Sequence, residues 1–201
     1  MWFELQDLAI EHIIMVAISM LIAAGIAIPT AIWLTRRTAW HRWVLGFANI
    51  LQTIPSLALF GFLIPIPFIG GIGKRTAIIA LVLYALLPIL RNTLVGIMGV
   101  DAAVRESAVA MGMTPRQVLW QVELPLAART ILAGLRVATV TTVGTATIAA
   151  AIGAGGLGVF IFRGIASVDS GQILAGAVPA ALMAILADEG LGWIERRFAP
   201  A

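Results

Sequence analysis

The sequence has no cysteine, a single tyrosine and few charged residues, which make up 11% of its 201 positions. Without cysteine the chain forms neither disulfides nor thiolate metal sites. Globular domains carry about 25% charged residues, and a soluble domain of this length could not bury so much apolar surface in one core. The composition is 61% hydrophobic, with a mean hydropathy of +1.02. Because a bilayer accepts such surface, we predict a membrane protein.

Clustered basic residues are also absent, although the net charge is +3 and the isoelectric point is about 10.6. Without a basic face the chain is not expected to bind nucleic acid. In a membrane protein, a basic excess usually reports cytoplasmic loops. The start of the chain carries Glu4, Asp7 and Glu11 but neither lysine nor arginine. A cleavable signal peptide needs a positive start, so we expect none.

Two glycine-rich segments resemble nucleotide-binding loops but lack residues that such loops need. Segment 153–158 fits the pattern Gly-x-Gly-x-x-Gly, yet an apolar span rather than a strand precedes it. Segment 70–74 ends in Gly-Lys, but a phosphate loop requires glycine at the position of Phe68 and Ser or Thr at that of Arg75. We therefore expect no cofactor and no ATP site in this chain. The glycines are instead expected to form tight turns and close helix contacts.

Five stretches of the sequence are long and apolar enough to cross a membrane. They are residues 10–34, 44–64, 76–98, 131–152 and 173–193. Because lipid cannot satisfy backbone polar groups, each span must be helical. We predict an all-α polytopic membrane protein with one transmembrane domain over residues 1–201.

The positive-inside rule orients these spans with the N-terminus outside and the C-terminus inside. The inner loops and ends then hold Arg36, Arg37, Arg42, Arg105, Arg116, Arg129, Arg196 and Arg197. The outer loops hold only Lys74, Arg75 and Arg163. Segment 153–168 is apolar but short, so we expect a re-entrant or interfacial helix on the outer face. A further span there would put the C-terminal arginines outside, against the rule.

Segment 101–125 is a charged loop between apolar spans and contains prolines at positions 115 and 125. Asp101 is a suitable N-cap for a helix that starts at residue 102, and Gly112 is a suitable C-terminal breaker. Thr114 begins a second helix, with Pro115 at its first position and Gln117 completing a capping box. Pro125 is expected to stop that helix. The loop is thus predicted to be two short helices joined by a tight turn, a shape that suits docking to another protein.

The spacing within this loop resembles that of permeases of binding-protein-dependent ABC importers. Their loop reads Glu-Ala-Ala, three residues, Gly, nine residues, Ile, one residue, Leu-Pro. The corresponding residues here are Glu106, Ser107, Ala108, Gly112, Val122, Leu124 and Pro125, with Ser for Ala and Val for Ile. The resemblance implies the type I importer permease fold and a coupling helix over 106–112. It also assigns Arg105 and Pro115 to the surface that couples the chain to its ATPase.

The same resemblance implies a set of partners in the inner membrane of a prokaryotic cell. ATP and Mg would be bound by a cytoplasmic ABC ATPase dimer. A second permease subunit, identical or paralogous, would complete the membrane part, and an extracytoplasmic solute-binding protein would deliver the solute. Segments 52–58, 87–93 and 152–158 further resemble osmoprotectant permeases, which import glycine betaine, choline and carnitine. Ergothioneine, or an amino acid such as methionine, is the alternative solute.

Other functional classes lack their typical residues. An ion-coupled secondary transporter would require paired acids or broken helices at mid-membrane. Such a function would also not explain the docking loop. A membrane enzyme would need a convergent catalytic constellation, which the sequence does not offer. His12 and His41 are isolated, so neither is expected to bind metal or to act in catalysis.

Proline and small polar residues mark a candidate translocation path. Pro55 should kink the second span, and the residues around it can satisfy the freed backbone groups. We assign the path to Gln52, Thr53, Pro55, Ser56, Thr139, Thr142 and Thr145. Ordinary helix packing explains these residues equally well. The spans offer no aromatic cluster to cage a quaternary amine, so selectivity is expected in the binding protein.

Arg91 is the most notable charge near a predicted span. Intramembrane charge usually marks function. We predict that Arg91 lies toward the cytoplasmic end and pairs with Asp188, Glu189 or loop carbonyls. Snorkelling of the side chain to the interface is the alternative.

Overall fold

The computed structural model describes residues 2–67 and 70–197, and every regular element in that part of the chain is helical. The α-helices are α1 (Trp2–Thr35), α2 (His41–Thr53), α3 (Ser56–Leu63), α4 (Lys74–Met98), α5 (Ala102–Ala110), α6 (Pro115–Val118), α7 (Leu124–Ile148), α8 (Gly158–Ser167) and α9 (Ser170–Arg197). Short 3₁₀ turns cover Thr38–Trp40 and Ala149–Ile152. A π-helical turn, Leu119–Glu123, joins α6 to α7.

Four helices in the described residues are long and apolar enough to cross a membrane, or five if α2 and α3 count as one broken span. The four are α1, α4, the continuous helix Pro115–Ile152, and α9. This agrees with the predicted polytopic fold. The second predicted span, 44–64, is not one kinked helix, because α2 and α3 meet at 102°.

Pro55 causes that break. A proline disfavours the helical conformation in the residue before it, and Ile54 is accordingly extended, with φ −72° and ψ 127°. Pro55 itself has φ −56° and ψ 136°, which ends α2 and lets α3 start at Ser56. The effect exceeds a kink because two successive residues leave the helical region.

α4 lies at the centre of the bundle and packs against α1 on one side and α7 on the other. Small residues allow these close approaches. Ala23, Ala27 and Ala31 recur every fourth residue along α1 and are fully buried in the cluster that contains α4. On α7, a side chain at Gly134 would lie 2.9 Å from the carbonyl oxygen of Pro88. Glycine is therefore required where α7 crosses α4.

The expectation that Pro125 stops a helix is wrong, because one helix continues from Pro115 to Ile152. Proline in a helix removes one hydrogen bond and collides with the carbonyl four residues before it. The π-helical turn Leu119–Glu123 lies immediately before Pro125 and changes the hydrogen-bond register there. α7 therefore begins at Leu124, seven residues before the predicted start of the fourth span.

Segment 153–168 forms a turn and the ten-residue helix α8, as the sequence predicted. Ten helical residues extend for about 15 Å, half of a hydrocarbon core, so α8 is too short to span. Asp169 caps the following helix, accepting a hydrogen bond from the Gly171 N–H at 2.8 Å. Hydrogen bonds from the Gln172 side chain and from backbone N–H groups hold the pKa of Asp169 below its usual value.

Ion pairs identify which helix ends lie together. The "α8 end" of the bundle is defined by the pairs Lys74–Glu11 at 2.7 Å and Arg163–Glu4 at 2.8 Å, which join α4 and α8 to the start of α1. The "loop end" is defined by Arg36, Arg105, Glu123, Arg129, Arg136, Asp188 and Glu195, together with α5. The helices α1, α4 and α9 therefore run from the α8 end to the loop end, and α7 runs in the opposite direction.

Candidate functional site

The first half of loop 101–125 is a capped helix, α5. Asp101 accepts a hydrogen bond from the N–H of Ala103 at 2.9 Å, as predicted. At the other end, the N–H of Met113 donates to the carbonyl of Ala108 at 3.2 Å and the N–H of Gly112 donates to that of Val109 at 2.9 Å. This pattern needs a left-handed residue, and Gly112 supplies it with φ +84°. The sharp end of α5 is therefore specified by glycine.

The second half of the loop starts with the predicted capping box. The N–H of Gln117 donates to Oγ1 of Thr114 at 3.4 Å, and the N–H of Thr114 donates to Oε1 of Gln117 at 2.8 Å. Pro115 occupies the first turn, where its missing N–H costs nothing. The two caps fix the angle of the turn between α5 and α6.

α5 presents an acidic and apolar surface to its surroundings. Glu106 and Ser107 are exposed, whereas Ala108 is buried against the rest of the loop. Val109 and Met111 are apolar and are 61% and 76% exposed. Of the other predicted coupling residues, Val122 and Leu124 are half-buried, and Pro115 and Pro125 are exposed. α5 is therefore a short, exposed helix to which another protein could bind.

Arg105 connects α5 to the bundle. Its Nε lies 2.8 Å from Oε1 of Glu123, and its Nη2 donates to the carbonyl of Ile97 in the last turn of α4. Glu123 is not among the site residues expected from the sequence. The signal that could have found it is an acid set among apolar residues directly before Leu-Pro.

A cleft of about 410 Å³ opens where α2 breaks. It is lined by Gln52, Thr53, Ile54, Pro55, Ser56, Tyr84, Pro88, Val137, Thr141 and Thr145. Five of the seven residues assigned to the path from sequence therefore meet in one place. The residues of this cleft are uncharged.

Tyr84 joins α4 to the break after α2 and was not assigned to the site from the sequence. Its hydroxyl donates to the carbonyl of Ile54, which the break leaves without a helical partner. Gln52 Nε2 donates to the Tyr84 carbonyl at 3.0 Å, so α2 and α4 are joined twice. Thr141 and Thr145 turn their hydroxyl protons back to carbonyls of α7. Their oxygens keep lone pairs for the cleft.

Thr139 and Thr142 do not reach this cleft. Thr142 is buried, with its hydroxyl 3.6 Å from the sulfur of Met20 on α1. Thr139 borders a separate apolar groove between α1, α7 and α9. A helix advances about 100° per residue, so 141 and 145 share a face that 139 and 142 do not. The structure therefore does not bring these two threonines together with the other five residues assigned to the path.

The predicted pairing of Arg91 with Asp188 or Glu189 is wrong. Asp188 on α9 instead binds Arg136 on α7, with Nη2 of the arginine 2.6 Å from Oδ2. Glu195 lies 3.5 Å from the same guanidinium group. The absence of a side chain at Gly192 leaves room for it, since a Cβ there would lie 3.2 Å from the Arg136 Cζ. Arg91 is exposed on α4 and has no ion pair within the described residues.

The two histidines make structural contacts. His12 is fully buried, with Nε2 3.1 Å from the carbonyl oxygen of Val143. His41 Nε2 lies 2.7 Å from the carbonyl oxygen of Leu34. Among residues 2–67 and 70–197 no group of three or more His, Cys, Asp or Glu side chains is arranged to hold a metal.

Comparison with known families matches residues 11–200 to the binding-protein-dependent transport system inner membrane component. That match covers nearly all of the chain, including α5 and the residues that line the cleft. The chain belongs to this family. It is a permease subunit, and its helical fold is that of type I ABC importer permeases.

Curated relatives match along almost the whole permease. The chain is 49% identical over 191 residues to the carnitine transport permease protein OpuCD of Listeria monocytogenes, covering 94% of this chain and 84% of that protein. It is 43% identical over 198 residues to the choline transport system permease protein OpuBB of Bacillus subtilis, covering 98% and 90%. It is also 42% identical to the osmoprotectant import permease protein OsmW of Salmonella typhimurium, covering 92% and 86%.

Solved structures confirm the architecture of the permease. A chain of the MetNI methionine ABC transporter, in an inward-facing conformation, superposes with a TM-score of 0.88 at 26% identity, covering 100% of this chain and 98% of that one. A chain of an amino acid ABC transporter gives 0.79 at 16% identity, covering 96% and 94%. The second likeness concerns the fold alone.

Proposed function

We propose that this permease is the membrane subunit of an ATP-driven importer for quaternary-amine osmoprotectants such as glycine betaine, choline and carnitine. The observation that carries the proposal is the identity of 42–49% to permeases named for carnitine, choline and osmoprotectant import. This identity extends over more than nine-tenths of the chain, so it includes the loop and the cleft together.

α5 is the part that would receive the work of ATP hydrolysis. It is short, capped at both ends and exposed at Glu106, Val109 and Met111. A cytoplasmic ATPase dimer would bind ATP and Mg and would hold α5 in a groove of each subunit. When the dimer closes, the two coupling helices approach each other and the spans switch between inward-facing and outward-facing arrangements as rigid bodies.

The cleft at the α2 break would be half of the translocation path, with a second permease subunit supplying the other half. Its carbonyl and hydroxyl oxygens present lone pairs that suit a cationic head or a hydroxyl group of the solute, and it holds no carboxylate that would trap a cation. A path must bind its solute weakly enough to release it. Selectivity would therefore lie in a solute-binding protein outside the membrane.

The cell membrane of a prokaryote is the expected location, with the loop end in the cytoplasm and the α8 end outside. Arginines predominate at the loop end, as the positive-inside rule requires. The chain has no native cysteine, so single cysteines at exposed positions of either end test this orientation by labelling. Labelling of residue 109 from the outside of intact cells would reverse the assignment.

Reconstitution of the permease with its ATPase, binding protein and partner permease tests the proposed activity. We expect ATP-dependent accumulation of labelled glycine betaine, choline or carnitine in liposomes, and none with an ATPase unable to hydrolyse ATP. Methionine serves as the matched competitor, because the MetNI chain shares the fold at 26% identity. Uptake of methionine in preference to the three amines would favour an amino-acid importer. Accumulation without ATP would contradict an ABC mechanism.

A further inference from the structure

One carboxylate lies where four helices meet at the loop end. Glu123 is 7% exposed, and its Oε1 lies 2.8 Å from Nε of Arg105 on α5. Its Oε2 lies 3.9 Å from Nη2 of Arg36, which follows α1. Arg105 also donates to the carbonyl of Ile97 at the end of α4. Glu123 itself belongs to the helix that continues into α7, so its side chain connects α7 to α5 and to the end of α1, and Arg105 extends the connection to α4.

The π-helical turn sets the direction of this side chain. Glu123 is the last residue of the turn, and the regular register of α7 starts with Leu124. An α-helix advances about 100° per residue, so the extra residue of a π-turn rotates the preceding side chains by roughly that angle relative to α7. This rotation lets the apolar side of α7 face α4 while Glu123 faces Arg105.

Glu123 is also the only acid among the residues that line a cavity of about 280 Å³ at this junction. The others are Thr35, Arg36, Ile97, Met98 and Arg105. Removing the carboxylate charge would leave two guanidinium groups near each other with no acid among those residues. Uncompensated charge in a partly buried place is strongly unfavourable, so α5 would move away from the bundle.

We propose that Glu123 is a positioning residue that makes α5 move together with α1, α4 and α7 as one body. The proposal rests on the proposed function, in which α5 receives the motion of the ATPase. The family pattern leaves the position between Val122 and Leu124 open, so the pattern alone gives Glu123 no role. Coupling between distant sites requires an element whose position both sites influence. If α5 is held to the bundle by the Glu123 ion pairs, it is such an element between the ATPase and the membrane helices.

The isosteric variant Glu123→Gln in the complete transporter tests this role. We expect normal assembly with the ATPase and normal basal ATP hydrolysis, but loss of the stimulation by solute-loaded binding protein. Uptake should fall at least about tenfold, within the range of coupling energies measured for network residues. Combining it with Arg105→Gln should cause little further loss, because both changes remove the same contact.

The matched control is Glu195→Gln. It removes an acid at the same end that pairs with Arg129 and Arg136 but does not touch α5. Uptake by this variant should stay within about twofold of the wild type, because distant sites act independently. An equal loss of uptake in both variants would overturn the proposal, as would failure of Glu123→Gln to assemble.

Amide hydrogen exchange of the purified transporter gives a readout that does not depend on transport. Glu123→Gln should speed exchange in α5 by about tenfold or more while α8 stays unchanged, because local opening follows local contacts. Unchanged exchange in α5, or faster exchange with normal uptake and stimulation, would overturn the positioning role. A wild-type transporter that moves none of the three amines would instead refute the proposed function and leave the exchange result standing.

Discussion

Both ends of the bundle are held by ion pairs, but two of the paired acids at the loop end are more buried than those at the α8 end. The third, Asp188, has a side chain that is 35% exposed. At the loop end the side chains of Glu123 and Glu195 are 10% and 16% exposed, and each lies between two arginines. At the α8 end the side chains of Glu4 and Glu11 are 44% and 35% exposed; Glu4 pairs with Arg163 and Glu11 pairs with Lys74.

The difference separates a connected network from isolated pairs. A shared, partly buried carboxylate fixes several helices at once, because losing either partner leaves unpaired charge. An exposed pair contributes about 0–1 kcal/mol and is weakened by salt. The contacts at the loop end are therefore expected to resist separation of the helices more strongly than those at the α8 end. This contrast fits a permease that is driven from one side and loaded from the other.

Reversing an exposed charge at each end should give the largest contrast. We expect Glu106→Lys on α5 to reduce uptake at least about a hundredfold, the upper range of allosteric coupling, without reducing the amount of protein in the membrane. Asp7→Lys changes the same charge on the exposed α8 end. Its uptake should remain within about twofold, because exposed charges far from an interface are weakly coupled. Solute uptake by membrane vesicles, normalised to protein, measures both.

The comparison fails if the two reversals act alike. Equal loss of uptake would mean that α5 has no special role, and normal uptake with stimulated ATP hydrolysis in Glu106→Lys would mean that the ATPase does not hold this surface.

Removing one cation at each end tests the network against the isolated pair. Arg136→Gln leaves Asp188 and Glu195 without the guanidinium that they share, so the thermal midpoint of the purified permease should fall by several degrees. Lys74→Gln removes one exposed pair with Glu11 and should shift the midpoint far less. Thermal unfolding in detergent at low and moderate salt compares them. A larger shift for Lys74→Gln would reverse the assignment of the rigid end.

Features that depend only on neighbouring residues were predictable from the sequence. The caps at Asp101 and Thr114 involve partners within three residues along the chain. The end of α5 at Gly112 depends on the backbone conformation of that residue alone. The helical fold followed from apolar run length for the same local reason. Pro125 was misjudged because a proline ends a helix in most settings, and only the preceding π-turn lets this one continue.

Contacts between helices were less predictable, because they depend on how each helix is rotated about its axis. The sequence placed Arg91 and Asp188 near the same end but could not show that Asp188 faces Arg136 on α7. The cleft shows the same limit, since a bend at Pro55 was predicted but the sequence could not show that Thr139 and Thr142 lie outside the cleft. Glu123 was missed because its importance lies in two partners, Arg36 and Arg105, that are distant in sequence.

The smallest predicted effect concerns two helix ends that need the same backbone shape. Gly112 ends α5 with φ +84°, and Val168 ends α8 with φ +55°, the only positive φ outside glycine in the described residues. A β-branched residue is strained there by about 1–2 kcal/mol, whereas glycine is not. Val168 is 90% exposed, so its side chain contributes little packing that could offset this strain.

Glycine at position 168 and a side chain at position 112 should therefore change the stability of the permease in opposite directions. We expect Val168→Gly to stabilise the permease by up to about 1 kcal/mol, since glycine recovers the strain but loses more entropy on folding. Gly112→Ala should destabilise it by about 1 kcal/mol, because alanine at positive φ is strained. Denaturant unfolding in detergent measures both, with uptake as a second readout that only the Gly112 change should lower. If Val168→Gly were destabilising, the exposed valine would have to make a contact at the α8 end that outweighs its backbone strain.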